Sequence, residues 1–339
     1  MESEKGLALE GPDWYRYQVL DDRAPSAVST ADARSPMTRP VRVLEVGGSH
    51  VTAASVALGG VQAEVVERVT VPLDAHADRA TLLATLAAPA TALTSATPGA
   101  EWAVALPGPF DYERGSGDFA GVAKFAAIAG VDLRGELAQR LGTDAHRIRF
   151  VNDADAYGLG EWAFGDVGRV RRLVCITLGT GVGSAFVDEG RAVTDRADVP
   201  PHGYVHLLEL DGRPLEDTVS TRAIVAAFAR RTGRELTVKQ IAAAAAAGDD
   251  AATDLLASTM RALGRALAPC LSRFEASALV VGGSMSRSWN VLGDPLREGL
   301  RGSAAVVRPS TLLDSAPLLG AAHWLLQTAP LHPTPQENR

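Results

Sequence analysis

Asn152-Asp153-Ala154-Asp155 sets two carboxylates and one carboxamide within four residues, directly after an apolar run and before a stretch of helical character. Asn and Asp are good helix N-caps, so one of the acids is expected to cap. Two acids and an Asn at the C-terminal end of a strand also suit a general base that faces a cleft. Three glycine turns accompany them: Gly47-Gly48-Ser49, Gly179-Thr180-Gly181-Val182-Gly183 and Gly282-Gly283-Ser284. Successive glycines let backbone N–H groups converge on a phosphate oxygen. Taken singly, Gly47-Gly48-Ser49 reads as an ordinary hairpin turn. The second turn holds more glycine than a hairpin needs. The third ends an apolar strand and precedes a helix, a good place for a nucleotide. Phosphoryl transfer asks for a hydroxyl held in line, a carboxylate to take its proton, and N–H donors plus Mg2+ on the phosphates.

The elements that must position these residues are legible in the apolar spacing. Val41 to Val46, His50 to Leu58 and Val61 to Val71 read as strands, and a helix is expected from about Ala77 to Leu93. Trp102 to Leu106 reads as a buried strand entering Pro107-Gly108-Pro109, followed by a helix around Leu133–Leu141 and a strand from His146 to Val151. The second half repeats the theme: strands Arg172–Leu178 and Ser184–Asp188, helices Thr221–Thr232, Val238–Ala247 and Ala251–Arg273, strand Ala278–Val281, and a last helix from about Leu318 to Leu326. A strand–glycine turn–strand unit near the start of each half implies two related α/β lobes with mixed sheets. They are expected over residues 41–150 and 151–317, with the helix at about 318–327 returning to the first lobe. Ligands then belong in the cleft between the lobes.

Composition narrows the function classes. Of 339 residues, 46% are hydrophobic, which is ample for two packed lobes. The net charge of −7 leaves no basic footprint for nucleic acid or anionic lipid. Two cysteines without CxxC spacing, Cys175 and Cys270, fit a reducing compartment and argue against a disulfide framework. There is no apolar run of 18 residues and no basic-then-apolar leader, so a cytoplasmic location without a membrane partner is expected.

Together these motifs resemble the sugar kinases of the ROK family (repressors, open reading frames, kinases) within the actin–hexokinase–Hsp70 fold, from about Val41 to Leu326. Glu45-Val46-Gly47-Gly48-Ser49-His50 is similar to the family's first phosphate loop, usually Asp-x-Gly-Gly-Thr-Lys. Leu106-Pro107-Gly108-Pro109 resembles its Pro-Gly-Pro loop, and Val151-Asn152-Asp153-Ala154-Asp155 its Asn-Asp-Ala-Asn segment. The resemblance implies Asp153 as catalytic base and Asn152 as a sugar ligand. It further implies ATP and phosphate binding by Gly47, Gly48, Ser49, Gly179, Thr180, Gly181 and Gly183, with Gly282, Gly283 and Ser284 closing on adenosine. Leu319-Gly320-Ala321-Ala322 resembles the usual C-terminal helix.

Departures from the family pattern bear on substrate and metal. Gly-Glu-x-Gly-His appears as His202-Gly203-Tyr204-Val205-His206, so the histidine is kept as His206 while the sugar-binding glutamate has become Gly203. Only nine residues separate His206 from Glu216, which takes a substrate-side glutamate position, and the usual cysteines are missing; no structural zinc is expected. His206 is then free to hydrogen-bond substrate. Glu45 replaces an aspartate near Mg2+, keeping the charge on a longer arm. The implied function is ATP-dependent phosphorylation of a hydroxyl, such as the primary 6-OH, of a hexose or hexose-like small molecule. Glucose, an amino sugar such as kanosamine and a C7-cyclitol all stay open, as does a homodimer. The gap at Gly203 implies that restoring a carboxylate shifts preference toward glucose.

Two other readings are a sugar-responsive transcription factor and a catalytically silent sugar-binding protein. The 44 residues before Glu45 are interrupted by proline and lack the period of an amphipathic helix, which disfavours a helix-turn-helix. Asp153 and both phosphate loops disfavour the silent protein. Residues 1–40 mix charge, Pro and Ser without helix or strand period and read as a disordered extension, although Trp14, Tyr15 and Tyr17 would suit a partner-binding arm. Deleting residues 1–36 is expected to leave activity and melting temperature unchanged; an aggregated or inactive truncation would refute the disordered-tail reading.

Overall fold

The computed structural model describes residues 40–59, 62–95, 99–119, 124–210 and 212–328. The extension expected over residues 1–40 lies outside them, apart from Pro40. The first lobe holds strands β1 (Val41–Val46), β2 (His50–Gly59), β3 (Gln62–Pro72) and β4 (Trp102–Leu106), a small hairpin of β5 (Phe110–Asp111) and β6 (Ser116–Gly117), and β7 (Ile148–Asn152). Helices α1 (Arg79–Thr91) and α2 (Leu133–Leu141) complete it. Its main sheet runs β3-β2-β1-β4-β7. β1, β2 and β3 meet antiparallel, while β1, β4 and β7 are parallel.

Helix α3 (Asp153–Phe164) opens the second half, followed by β8 (Arg172–Leu178), β9 (Val182–Asp188), β10 (Arg191–Ala192), and the pair β11 (Glu209–Leu210) and β12 (Arg213–Pro214). Then come α4 (Glu216–Val219), α5 (Thr221–Thr232), α6 (Val238–Ala246), α7 (Asp250–Arg273), β13 (Ala278–Gly282), α8 (Trp289–Gly299), β14 (Val306–Pro309) and α9 (Ala316–Thr328). The second sheet runs β10-β9-β8-β13-β14 with the same alternation of antiparallel and parallel pairings as the first. Boundaries differ from the sequence reading where local chemistry intervenes. The Asp78 side chain accepts from Thr81 N and so starts α1 at Arg79, and a 3-10 turn over Ala145–Arg147 delays β7 to Ile148.

Central strands are apolar on both faces because helices cover both. Val41 and Val43 of β1, with Ala103 and Ala105 of β4, meet Leu318, Ala321, Ala322 and Leu325 of α9. Leu44 and Val46 point the other way, toward Leu82 and Leu86 of α1 and Leu133 and Leu137 of α2. By the two-residue period of a strand, Glu45 shares the face of Val41 and Val43. Tyr157 and Leu159 of α3 meet Leu173, Cys175, Ala278 and Val280 of the second sheet. α3 and α9 therefore lie between the two sheets. The remaining helices close the outer faces.

The two inner helices touch backbone to backbone. A methyl group at Gly320 would stand 1.8 Å from Ala156 O, and one at Gly160 would stand 2.1 Å from Ala316 O. Neither helix can carry a side chain there without moving. Gly320→Ala is expected to cost about 1–3 kcal/mol of stability, as overpacking does, and to lower activity with it because α3 begins at Asp153. Denaturant melts and turnover measured together check this; an unchanged midpoint would refute the contact.

Candidate active site

Asn152 ends β7 and caps α3: its side-chain oxygen accepts from Ala154 N at 3.0 Å and Asp155 N at 3.1 Å. The cap is thus the amide, not an acid as the sequence suggested. Both acids are left in the first turn of α3, where the helix dipole favours negative charge. The Asn152 amide donates to Tyr112 Oη at 2.8 Å, and Tyr112 donates to Leu106 O at 3.2 Å, beside Pro107-Gly108-Pro109. Tyr112 reaches this place through the β5–β6 hairpin and through Phe110, whose ring centroid is 5.4 Å from its own. Sequence reasoning missed Tyr112, since a two-stranded hairpin of four paired residues leaves little period to read.

Three carboxyl groups crowd this end of α3. Burial pushes Asp153 up to about 6, against the backbone N–H of Ala154 and the Lys124 ammonium. Burial, with the charge of Asp153, pushes Asp155 up to about 7. Glu45 rises to about 7 through burial and then Asp153, while Arg68 and the Thr52 hydroxyl pull the other way. Glu45, carried on the inner face of β1, therefore senses Asp153 across the lobe. Its Oε2 is 3.7 Å from His50 Nε2.

The glycine turns take different parts. In the first, Gly47 N donates to His50 O and closes the β1–β2 hairpin, whereas Gly48 and Ser49 N–H groups find no acceptor among the described residues. In the second, Gly179 N donates to Gly181 O, and Thr180 and Gly181 N–H groups are likewise free among the described residues. A methyl group at Gly183 would stand 3.2 Å from Ala154 Cβ, which places this turn against the start of α3. One at Gly181 would meet Glu216 Oε1 at 2.7 Å, and one at Gly179 would meet Ser284 Oγ at 3.8 Å, so the second and third turns adjoin. Gly282 and Gly283 have a packing reason to be glycine: a side chain would strike the Tyr157 ring and Leu178 O, each at 2.5 Å. Glu216 lies beside the second turn and also acts on His206, whose imidazole burial holds below its usual range.

The segment bearing the family's missing glutamate turns away from the cleft. His202 and Gly203 have φ of 57° and 73°, and Ser184 Oγ donates to Gly203 O at 2.6 Å. A methyl group on Gly203 would face Val193 O at 3.5 Å and Phe186 at 3.9 Å, inside the second lobe. Tyr204 points into the site instead. Its ring stacks on His206 with centroids 5.1 Å apart, and a methyl group at Gly108 would stand 3.2 Å from its hydroxyl. Burial and the charges of Asp155 and Asp153 push its phenol up. Restoring a carboxylate at 203, as the sequence suggested, would thus direct it away from substrate.

No group of three or more His, Cys, Asp or Glu side chains forms a metal cage among the described residues. No helix there is long and apolar enough to cross a membrane.

Known proteins share this architecture. The glucokinase of Thermotoga maritima is 29% identical over 250 residues, 65% of this chain and 77% of that one. The glucokinase of Streptomyces coelicolor is 27% identical over 213 residues, 53% of this chain and 67% of that one. The structure of a ROK family glucokinase from Streptomyces griseus, in complex with glucose and AMPPNP, superposes with a TM-score of 0.69 at 23% identity, covering 85% of this chain and 99% of that one. The fold is the two-lobed, actin-like ATPase fold with its cleft between the lobes. With the ROK family model matching residues 42–328, this chain belongs to the ROK family.

Proposed function

We propose that the chain is an ATP-dependent kinase that phosphorylates a hydroxyl, the primary one of a hexose or hexose-like molecule, with Asp153 as general base. The observation that carries this reading is a carboxyl group at the start of α3, raised to about 6, flanked by glycine turns with free N–H groups. A base of that strength is largely ionised at neutral pH yet still takes a proton readily. Glucokinase relatives and the family match support the same chemistry.

Asp153 takes the proton of the attacking hydroxyl, while Asn152, held by its cap and by Tyr112, offers its remaining N–H to the acceptor. Thr180 and Gly181 N–H groups face phosphate oxygens from one lobe, Gly48 and Ser49 from the other. Glu45, a hard oxygen donor raised by burial and then by the charge of Asp153, fits a Mg2+ ligand. When bound, Mg2+ supplies charge neutralisation on the nucleotide phosphates. His206 and Glu216 border the acceptor end and the second turn.

Tyr204 in place of a carboxylate gives the acceptor a neutral phenol to meet. This favours an atypical ligand, an amino sugar or a cyclitol, over glucose. ADP release coupled across glucose, amino sugars and cyclitols tests the function, and absence of turnover with all of them would favour the silent or regulatory reading.

Asp153→Asn is expected to lower kcat by ~10²–10⁴ while nucleotide affinity stays within a few fold. Because the base works deprotonated, wild-type kcat/KM should rise with pH through about 6. A flat profile from pH 5 to 8, or turnover of the variant within threefold, would remove Asp153 from that role.

Gly203→Glu is expected to lower stability by about 1–3 kcal/mol, the cost of a side chain at an unfavourable backbone conformation. The kcat/KM ratio for glucose against the preferred acceptor should stay within threefold. A clear shift toward glucose would show that the 203 side chain reaches the cleft after all.

A further inference from the structure

Lys124 belongs to no motif in the sequence, yet it stands at the mouth of the first glycine turn. A methyl group at Gly48 would be 2.9 Å from Lys124 Nζ, and the same ammonium acts on the Asp153 carboxyl. Its placement is set by the next residue. Phe125 is buried, adopts φ of 62°, and donates its N–H to Ala75 O at 2.8 Å. Its ring meets Phe119 at 5.6 Å between centroids. Lys124 itself is half-buried and forms no ion pair or hydrogen bond among the described residues. An anchored backbone therefore presents an unspent ammonium between a turn with free N–H groups and the base.

We infer that Lys124 is a catalytic residue that contacts the transferring phosphoryl group, supplying from outside the first turn the cation that His50 does not. This rests on the kinase reading above. In that reaction the acceptor oxygen forms a bond to the γ-phosphorus, and the bond from that phosphorus to the β,γ-bridging oxygen breaks. The acceptor proton passes to Asp153, and nucleoside diphosphate leaves with the electron pair. The phosphoryl group must cross between the glycine turns and the Asp153-bound hydroxyl. An ammonium against Gly48 that also acts on the Asp153 carboxyl lies toward that crossing. The Lys124 ammonium offsets the negative charge on the equatorial oxygens. His50 is turned onto Gly47 and toward Glu45, so its ring serves the carboxylate rather than the crossing.

The test uses the full chain with Lys124→Met and Lys124→Arg. Turnover is read with the acceptor that the wild type prefers, and binding of AMPPNP and of ADP by calorimetry with Mg2+ present. Lys124→Met should lose ~10²–10³-fold in kcat. Its affinity for AMPPNP should fall about tenfold while that for ADP holds within twofold, since only the former carries a γ-phosphate for a charge-assisted contact. Lys124→Arg should recover part of both. Turnover of Lys124→Met within threefold of wild type overturns the assignment, as does an equal loss of AMPPNP and ADP affinity. Weakened acceptor binding with both nucleotides unchanged also overturns it, because the ammonium would then read the acceptor. If the wild type itself binds neither nucleotide, the kinase reading falls and takes this one with it.

Discussion

Backbone contact between α3 and α9 at Gly160 and Gly320 is the constraint on which the site depends. Only hydrogen fits where a methyl group would lie 1.8 Å from a carbonyl oxygen, so the two helices cross at a distance that no other residue permits. That closeness lets one thin layer serve both sheets. α9 meets β1 and β4 of the first lobe, and α3 meets β8 and β13 of the second. Since α3 starts at the end of β7, its first turn is carried to the place where the lobes face each other. Asp153 therefore owes its position to small residues two turns away and on another helix.

Electrostatics at that first turn is deliberately unbalanced. Glu45, Asp153 and Asp155 are all pushed up by burial, and each suffers from a neighbour's charge or burdens one. The favourable groups nearby are few: the α3 dipole, Lys124 and, farther out, Arg68. A fold selected for stability alone would not keep three desolvated acids together. The arrangement makes sense as a site that draws a divalent cation and hands a proton to one carboxylate, the two requirements of the proposed transfer.

Much of this was legible in the sequence, because the signals are local. Apolar-rich runs marked β1, β4, β8 and β13, and glycine turns marked the hairpins that follow β1 and β8. Asn152-Asp153 stood at a strand-to-helix junction that the structure contains. What escaped was set by tertiary contact. α8 has Pro295 and Gly293 inside it and reads as a broken helix, but α7 holds it, with a methyl group at Gly264 meeting the Gly299 backbone at 2.7 Å. β14 is four residues long and gains its strand character only from pairing with β13. Asn152 rather than an acid took the cap because its amide can also donate to Tyr112, a partner 40 positions away. The inward turn of Tyr204 could not be read from Gly203-Tyr204, as it depends on left-handed backbone at His202 and Gly203.

These departures fit together on the proposed reading. A carboxylate at the acceptor end would add a further negative charge to a cleft that already holds Glu216 and three raised acids. With Gly203 turned inward to the lobe and Tyr204 in its place, no carboxylate is added beside His206 and Glu216, and the acids near α3 keep proton affinities compatible with function near neutral pH. Lys124 then has the Asp153 carboxyl as its electrostatic neighbour rather than a substrate-side partner that would draw it from the crossing. Glu45 on a longer arm and His50 beside it shift one charge pair to the hairpin of the first turn. The first turn thereby gives up its cation, and the ammonium anchored by Phe125 supplies it from the other side. Substrate range and phosphate handling are in this view coupled through one set of charges, so a change at either end of the cleft is felt at the base between them.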